Sequence, residues 1–169
     1  AKVEIRSQLD LPQDKPIILA IGRFVSAKGF KYVIEAMTEL PLCHLVLVGG
    51  GEEEAEYRQL CADLGIESQI TFAGVAQDPV MYYQSADIFV MPSVYEPLGQ
   101  TILEALACGL PVVAFSAAAG VVTATEELLD QDQALFVNNR SAHCLGQSIA
   151  ALLTNKIRMA QLSTRSRII

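Results

Sequence analysis

Six short apolar runs punctuate the chain: PIILAI at 16–21, HLVLV at 44–48, QITF at 69–72, DIFVM at 87–91, VVAF at 112–115 and ALFV at 134–137. They are β-branched and nearly continuous in hydrophobicity, not alternating, so the strands they predict must be covered on both faces, as in a parallel sheet. The intervening segments 30–40, 53–64, 79–84, 100–108 and 142–153 carry apolar positions at helical spacing, as Val33, Ile34, Met37 and Leu40 illustrate. Asp78-Pro79 and Asn139-Arg140-Ser141 supply helix-start chemistry. This alternation of strand and helix predicts one Rossmann-like, doubly wound α/β domain over residues 1–169, with a mostly parallel six-stranded sheet. Residues 1–11 read as the end of a helix arriving from another domain, and 156–167 as a basic helix with a solvated face.

One stretch competes with this reading. Residues 105–125 hold no charged side chain, long enough to cross a bilayer. Gly109-Leu110-Pro111 and Ala117-Ala118-Ala119-Gly120 break it into a helix end, a short strand and a small-residue loop, so a soluble core is expected instead.

Composition narrows the classes. Twelve Lys and Arg against 19 Asp and Glu give a net charge of −7, which argues against nucleic acid as a partner. Hydrophobic residues make up 51% and charged residues 18%, below the usual charged share of roughly 25%, which excludes disorder and implies a large core. Cys43, Cys61, Cys108 and Cys144 form no Cys-x-x-Cys pair, so free buried thiols in a reducing compartment are expected rather than zinc or disulfide chemistry. No leader sequence opens the chain, and its start at Ala1 reads as a cut; a cytoplasmic location is expected, with membrane association only through parts outside this chain.

In an open α/β sheet, ligands bind beyond the carboxyl ends of the strands. After the first strand stand Gly22-Arg23 and Lys28-Gly29, two cations able to converge on a diphosphate, although this is neither a P-loop nor a dinucleotide fingerprint. After the second comes Gly49-Gly50-Gly51, where backbone could approach a nucleobase or sugar edge, or simply turn before an acidic helix start. The carboxylates of Glu52, Glu53 and Glu54 make phosphate binding there unfavourable. Gly74, beyond the third strand, has the same double reading. After the fourth strand, Glu96 lies on a loop and Glu104 one turn inside a helix, with the amides of Gly99, Gln100 and Thr101 expected to be free at that helix start. A diphosphate could dock on those amides while the carboxylates grip hydroxyls on either side. Both could also be plain surface acids, but the apolar neighbours of Glu104 make a poor setting for one.

The context Pro92-Ser93-x-x-Glu96-Pro97-Leu98-Gly99-x-x-x-x-Glu104-Ala105-x-Ala107-x-Gly109-x-Pro111-Val112-Val113-Ala114 resembles the donor-site signature of retaining, nucleotide-sugar-dependent glycosyltransferases of the family 4 type with GT-B fold. The Gly22-Arg23, Lys28-Gly29 and Leu47-Val48-Gly49-Gly50-Gly51 segments are similar to that family's diphosphate and base-side loops. The resemblance implies that Arg23 and Lys28 hold the donor diphosphate, that Glu96 faces the transferred sugar, and that Glu104 binds the ribose hydroxyls. It further implies donor contacts from Gly22, Gly49, Gly50, Val75, Leu98, Gly99, Gln100 and Thr101. It implies no metal and no cofactor beyond the nucleotide-diphosphate sugar itself, UDP-sugars ahead of GDP- or ADP-sugars; the chain has no Asp-x-Asp. By the same resemblance the chain is the C-terminal, donor-binding half, inactive alone, and its partner is an N-terminal acceptor domain absent from these residues. One loop departs from the family: where a Gly-Gly-x-x-Glu turn is usual, residues 117–126 read AAAGVVTATE, leaving Glu126 as the candidate for the family acid's place.

Two other readings compete. A nucleotide-sugar epimerase would need a titrating His beside the site, whereas His44 opens a buried strand and His143 sits in a distal helix. A non-catalytic sugar-nucleotide sensor or receiver-like module would, in its receiver form, need acidic strand ends, and here these carry Gly and Arg.

Overall fold

The computed structural model describes residues 1–96, 99–129 and 133–166. In chain order its elements are α1 (Lys2–Gln8), β1 (Ile17–Ile21), α2 (Phe30–Ala36), β2 (His44–Val48), α3 (Glu54–Leu64), β3 (Ile70–Gly74), α4 (Val80–Ser85), β4 (Ile88–Met91), β5 (Tyr95–Glu96), α5 (Gln100–Ala107), β6 (Val112–Phe115), β7 (Val122–Thr123), α6 (Thr125–Leu128), β8 (Ala134–Val137), α7 (Ala142–Thr154) and α8 (Lys156–Ser166).

Six strands form one parallel sheet in the order β3-β2-β1-β4-β6-β8. The chain winds outward from β1 to β3 and then returns to the other side, so the switch point lies between β1 and β4. Because side chains alternate across a strand, each strand feeds two cores. Ile18, Ala20, Leu45, Leu47, Val90 and Phe115 pack with α2, α3 and α7 on one face. Ile17, Leu19, Val46, Phe89, Met91 and Val112 pack with Tyr83 of α4 and Ile102, Ala105 and Leu106 of α5 on the other. This is the two-faced burial that the unbroken apolar runs require.

The differences from the sequence expectation are local. Helix α2 stops at Ala36 and tightens into a 3-10 turn over Met37–Glu39, because Leu40 precedes Pro41 and is pushed out of helical backbone. The QITF strand starts one residue later and runs on to Gly74: Gln69 closes a 3-10 turn and donates its side-chain amide to Leu40 O at 2.9 Å. Ser141 caps α7 as expected, its hydroxyl accepting from Cys144 N at 3.0 Å. The basic C-terminal helix is more than a solvated face. Leu162 is fully buried, and Ser163 Oγ donates to Gly109 O at 2.7 Å.

Residues 105–125 fold as the end of α5, a turn, β6, a 3-10 turn and β7, and no helix among the described residues is long and apolar enough to cross a membrane. All four cysteines are free, Cys43 and Cys61 buried, Cys108 and Cys144 partly so.

Candidate active site

The loops after β1 and β4 flank the switch point, and backbone contacts draw them together. Gly29 makes this approach possible: its φ is 66°, and a Cβ there would lie 2.0 Å from Pro92 O. Val94 N donates to Ala27 O at 2.9 Å, securing the same junction. Lys28 is thereby delivered to Glu96, and the two form an ion pair with side chains mostly out of solvent. The other oxygen, Glu96 Oε1, accepts a long bond of 3.4 Å from Gly99 N. The expectation of a free Gly99 amide is therefore corrected, since the nearby carboxylate claims it. Gln100 and Thr101, in the first turn of α5, have no acceptor within the helix for their amides. Arg23 is exposed and makes no ion pair among the described residues. Leu98 lies outside the described residues.

A contact that the sequence does not foretell holds the Glu96 loop from the other side. β5 and β7 form a two-stranded parallel ladder pairing Tyr95 with Val122 and Glu96 with Thr123, and Ala124 N donates to Glu96 O at 2.8 Å. The atypical loop thus buttresses Glu96 through its backbone. Glu126, the candidate for the family acid's place, spends its carboxylate on this loop, accepting from Ala117 N at 2.7 Å.

The base-side loop also behaves differently from the simplest expectation. Gly22 N donates to Val48 O, Phe24 N to Gly50 O and Glu53 N to Phe24 O, at 2.9 to 3.0 Å, so the loops after β1 and β2 are zipped to each other. At Gly49, with φ of 141°, a Cβ would fall 1.9 Å from Gly22 O. That glycine is required by the chain's own backbone. Gly50 is different: its nearest neighbour would be Val75 Cγ2 at 3.4 Å, and Val75 is 81% exposed, leaving both residues open on one side.

On the far flank, Glu104 is half-buried in α5 and its Oε2 accepts from Tyr83 Oη at 2.8 Å. Burial first, then this hydrogen bond and the carboxylate charge, pushes the Tyr83 hydroxyl far above the ordinary phenol range. Tyr83 carries no catalytic signature in the sequence; only its position in an apolar helix five residues before the fourth strand hints at burial.

The two histidines stay out of the site. His44 sits at the start of β2, at the opposite end of the sheet. Its Nε2 bonds Thr71 Oγ1 at 2.7 Å, and burial, then Lys15, lowers its pKa, so it stays neutral. His143 pairs with Glu39 at 2.6 Å in α7. Among the described residues no group of three His, Cys, Asp or Glu side chains could hold a metal ion. A recess of about 660 Å³, lined in part by Lys2, Asp87, Pro111 and Met159, opens at the N-terminal ends of β4 and β6. Its cation and carboxylate, Lys2 and Asp87, are already paired with each other, and no residue of the first turn of α5 lines it, so we take the switch-point loops as the candidate site.

Comparison with known proteins gives the geometry its context. The chain is 45% identical over 108 residues to "Lipopolysaccharide core biosynthesis glycosyltransferase LpsE" of Rhizobium meliloti (strain 1021), covering 64% of this chain and 32% of that protein. Among solved structures it is similar to a sucrose-phosphate synthase from Thermosynechococcus elongatus, with TM-score 0.84 and 32% identity, over 98% of this chain and 43% of that one. Anabaena Alr3699/HepE in complex with UDP superposes with TM-score 0.89 at 23% identity, over 99% of this chain and 46% of that one, a likeness of fold. The chain spans less than half the length of the curated relatives it matches. The family description "Glycosyl transferases group 1" matches residues 1–168, and the chain belongs to that family.

Proposed function

We propose that this chain is the C-terminal, donor-binding half of a retaining, metal-independent glycosyltransferase of the family 4 type, which moves a sugar from a nucleotide-diphosphate donor to an acceptor hydroxyl. The observation that carries the reading is the Lys28–Glu96 ion pair beside the first turn of α5, on the loops that follow β1 and β4, with Glu104 held by Tyr83 one turn along the same helix.

The chemistry asks for this combination. When the bond from the anomeric carbon to the diphosphate oxygen breaks, negative charge builds on the departing nucleotide. Fixed cations and helix amides aimed at that charge stabilise it more in the transition state than in the bound donor. Lys28 and the exposed Arg23 take this role, with Gln100 and Thr101 donating backbone N–H groups and Gly22 allowing close approach. Glu96 faces the sugar and Glu104 the ribose. Gly49, Gly50 and Val75 line the base side, with Gly99 beside the phosphates. The acceptor is held by an N-terminal half outside these residues, so this chain alone is inactive in transfer. Free thiols at all four cysteines favour a cytoplasmic setting. UDP-sugars are the first donor class to test, a choice supported by the UDP seen in the HepE structure.

Isothermal titration of the 169-residue chain with UDP, GDP and ADP tests the reading. Saturable binding of at least one at millimolar concentration or below is expected. Absence of binding by all three would overturn it.

A further inference from the structure

We propose that the Tyr83 hydroxyl is a positioning group that aims Glu104 at the ribose of the donor, an inference that rests on the role given to Glu104 above. Tyr83 lies on α4, is 2% exposed, and its ring stacks in tilted fashion against Phe89 with centroids 5.7 Å apart. Packing of this kind leaves the ring one orientation, so the hydroxyl has a fixed position.

Two acceptors face that hydroxyl: Glu104 Oε2 at 2.8 Å and Thr101 O at 3.3 Å. A phenol has one proton to give, and the nearer, charged acceptor takes it. Burial and the Glu104 carboxylate raise its pKa, so the Tyr83 hydroxyl keeps its proton at neutral pH.

The consequence falls on Glu104. A glutamate on a helix ordinarily samples several rotamers and loses that freedom at a cost when a ligand arrives. Tying Oε2 to a rigid phenol removes the cost in advance and leaves Oε1 without a partner among the described residues. A carboxylate with one oxygen anchored and one presented accepts from a hydroxyl donor. The vicinal diol of a ribose supplies two such donors, whereas a phosphate supplies none and would be repelled. Tyr83 therefore acts on recognition of the ribose and leaves the base and phosphates to other residues.

The test is a discrimination ratio. UDP and 2′,3′-dideoxy-UDP, and in parallel GDP and 2′,3′-dideoxy-GDP, are titrated into the wild-type chain, Tyr83→Phe, Glu104→Gln and the double variant. The wild type should prefer the ribonucleotide by about 10- to 100-fold, the range of a hydrogen bond to a charged group. Tyr83→Phe should reduce that preference to about threefold or less while leaving the dideoxynucleotide's affinity nearly unchanged, and in the Glu104→Gln background should change the ratio no further. A merely structural tyrosine would weaken both nucleotides alike and leave the ratio intact, which would overturn the inference while the proposed function stood. Failure of all four nucleotides, and of ADP beside them, to bind the wild type would overturn both.

Discussion

The two ends of β4 each carry an acidic side chain held by cations, and the contrast between them separates architecture from chemistry. At the N-terminal end, Asp87 accepts from Ile17 N at 2.8 Å, Arg6 Nη2 at 2.8 Å and Lys2 Nζ at 2.9 Å. Arg6 is only 6% exposed and also donates to Ser85 O and Lys15 O, so every strong donor has an acceptor and α1 is riveted to the sheet. At the C-terminal end, Glu96 has, among the described residues, Lys28 and one long bond from Gly99 N, and the side chain of the exposed Arg23 on the loop after β1 has no ion-pair partner among them. A saturated network leaves no valence for a ligand. An undersatisfied one, where positive charge outweighs the acceptors supplied, is a site.

Breaking each end should therefore give opposite results. The largest effect is expected from Asp87→Ala, which strands the buried Arg6 and should destabilise the fold by about 3 kcal/mol, read as a lower urea midpoint, with nucleotide affinity of the folded fraction unchanged. Next is Lys28→Ala: leaving the buried Glu96 without its cation should also cost stability, but here the affinity of the folded fraction for UDP should drop as well, by about 2 kcal/mol, the scale of a charge-assisted hydrogen bond, while uridine binding stays the same. Equal losses for nucleotide and nucleoside would refute the diphosphate role.

Glu96→Gln should act in the reverse direction. In the unliganded chain the Glu96 carboxylate neutralises the lysine that the diphosphate needs, so removing its charge should tighten UDP by roughly 1 kcal/mol, measured by calorimetry. Weaker UDP binding would show that Glu96 assists the phosphate instead.

The smallest effect concerns pH. Burial raises the Asp87 pKa, but Ile17 N–H, Lys2 and Arg6 outweigh it, so the folded value lies below the ordinary 3.8. A depressed carboxylate pKa contributes stability that is present above the unfolded value and lost as pH falls through the folded one. Wild type should thus lose stability below about pH 4 more steeply than Asp87→Asn, in parallel thermal melts. Parallel curves for the two would place the acid sensitivity elsewhere.

The sheet was legible because a strand covered on both faces writes itself as an unbroken apolar run, and the helices because their apolar stripe keeps a fixed period. The cation and carboxylate loops were legible because the chemistry needs those residue types within a few positions of a strand end. What escaped were pairings between distant segments. β5 and β7 contribute two residues each, and Tyr95 and Val122 are 55% and 67% exposed, so neither leaves an apolar signature. Glu126, which the resemblance puts forward for the family acid's place, gives one carboxylate oxygen to Ala117 N of its own loop, a contact that no local pattern announces.

By itself the sequence determined the class of fold and the order of strands and helices along the chain, and it offered the candidate loops, since these follow from local periodicity and composition. Only the tertiary structure decided what each of those residues touches. That Gly49 serves Gly22, that Lys28 meets Glu96, and that Tyr83 rather than solvent holds Glu104 all depend on the register of parallel strands far apart in the chain. Register is fixed by the packing of two cores at once, a collective property that no local window contains.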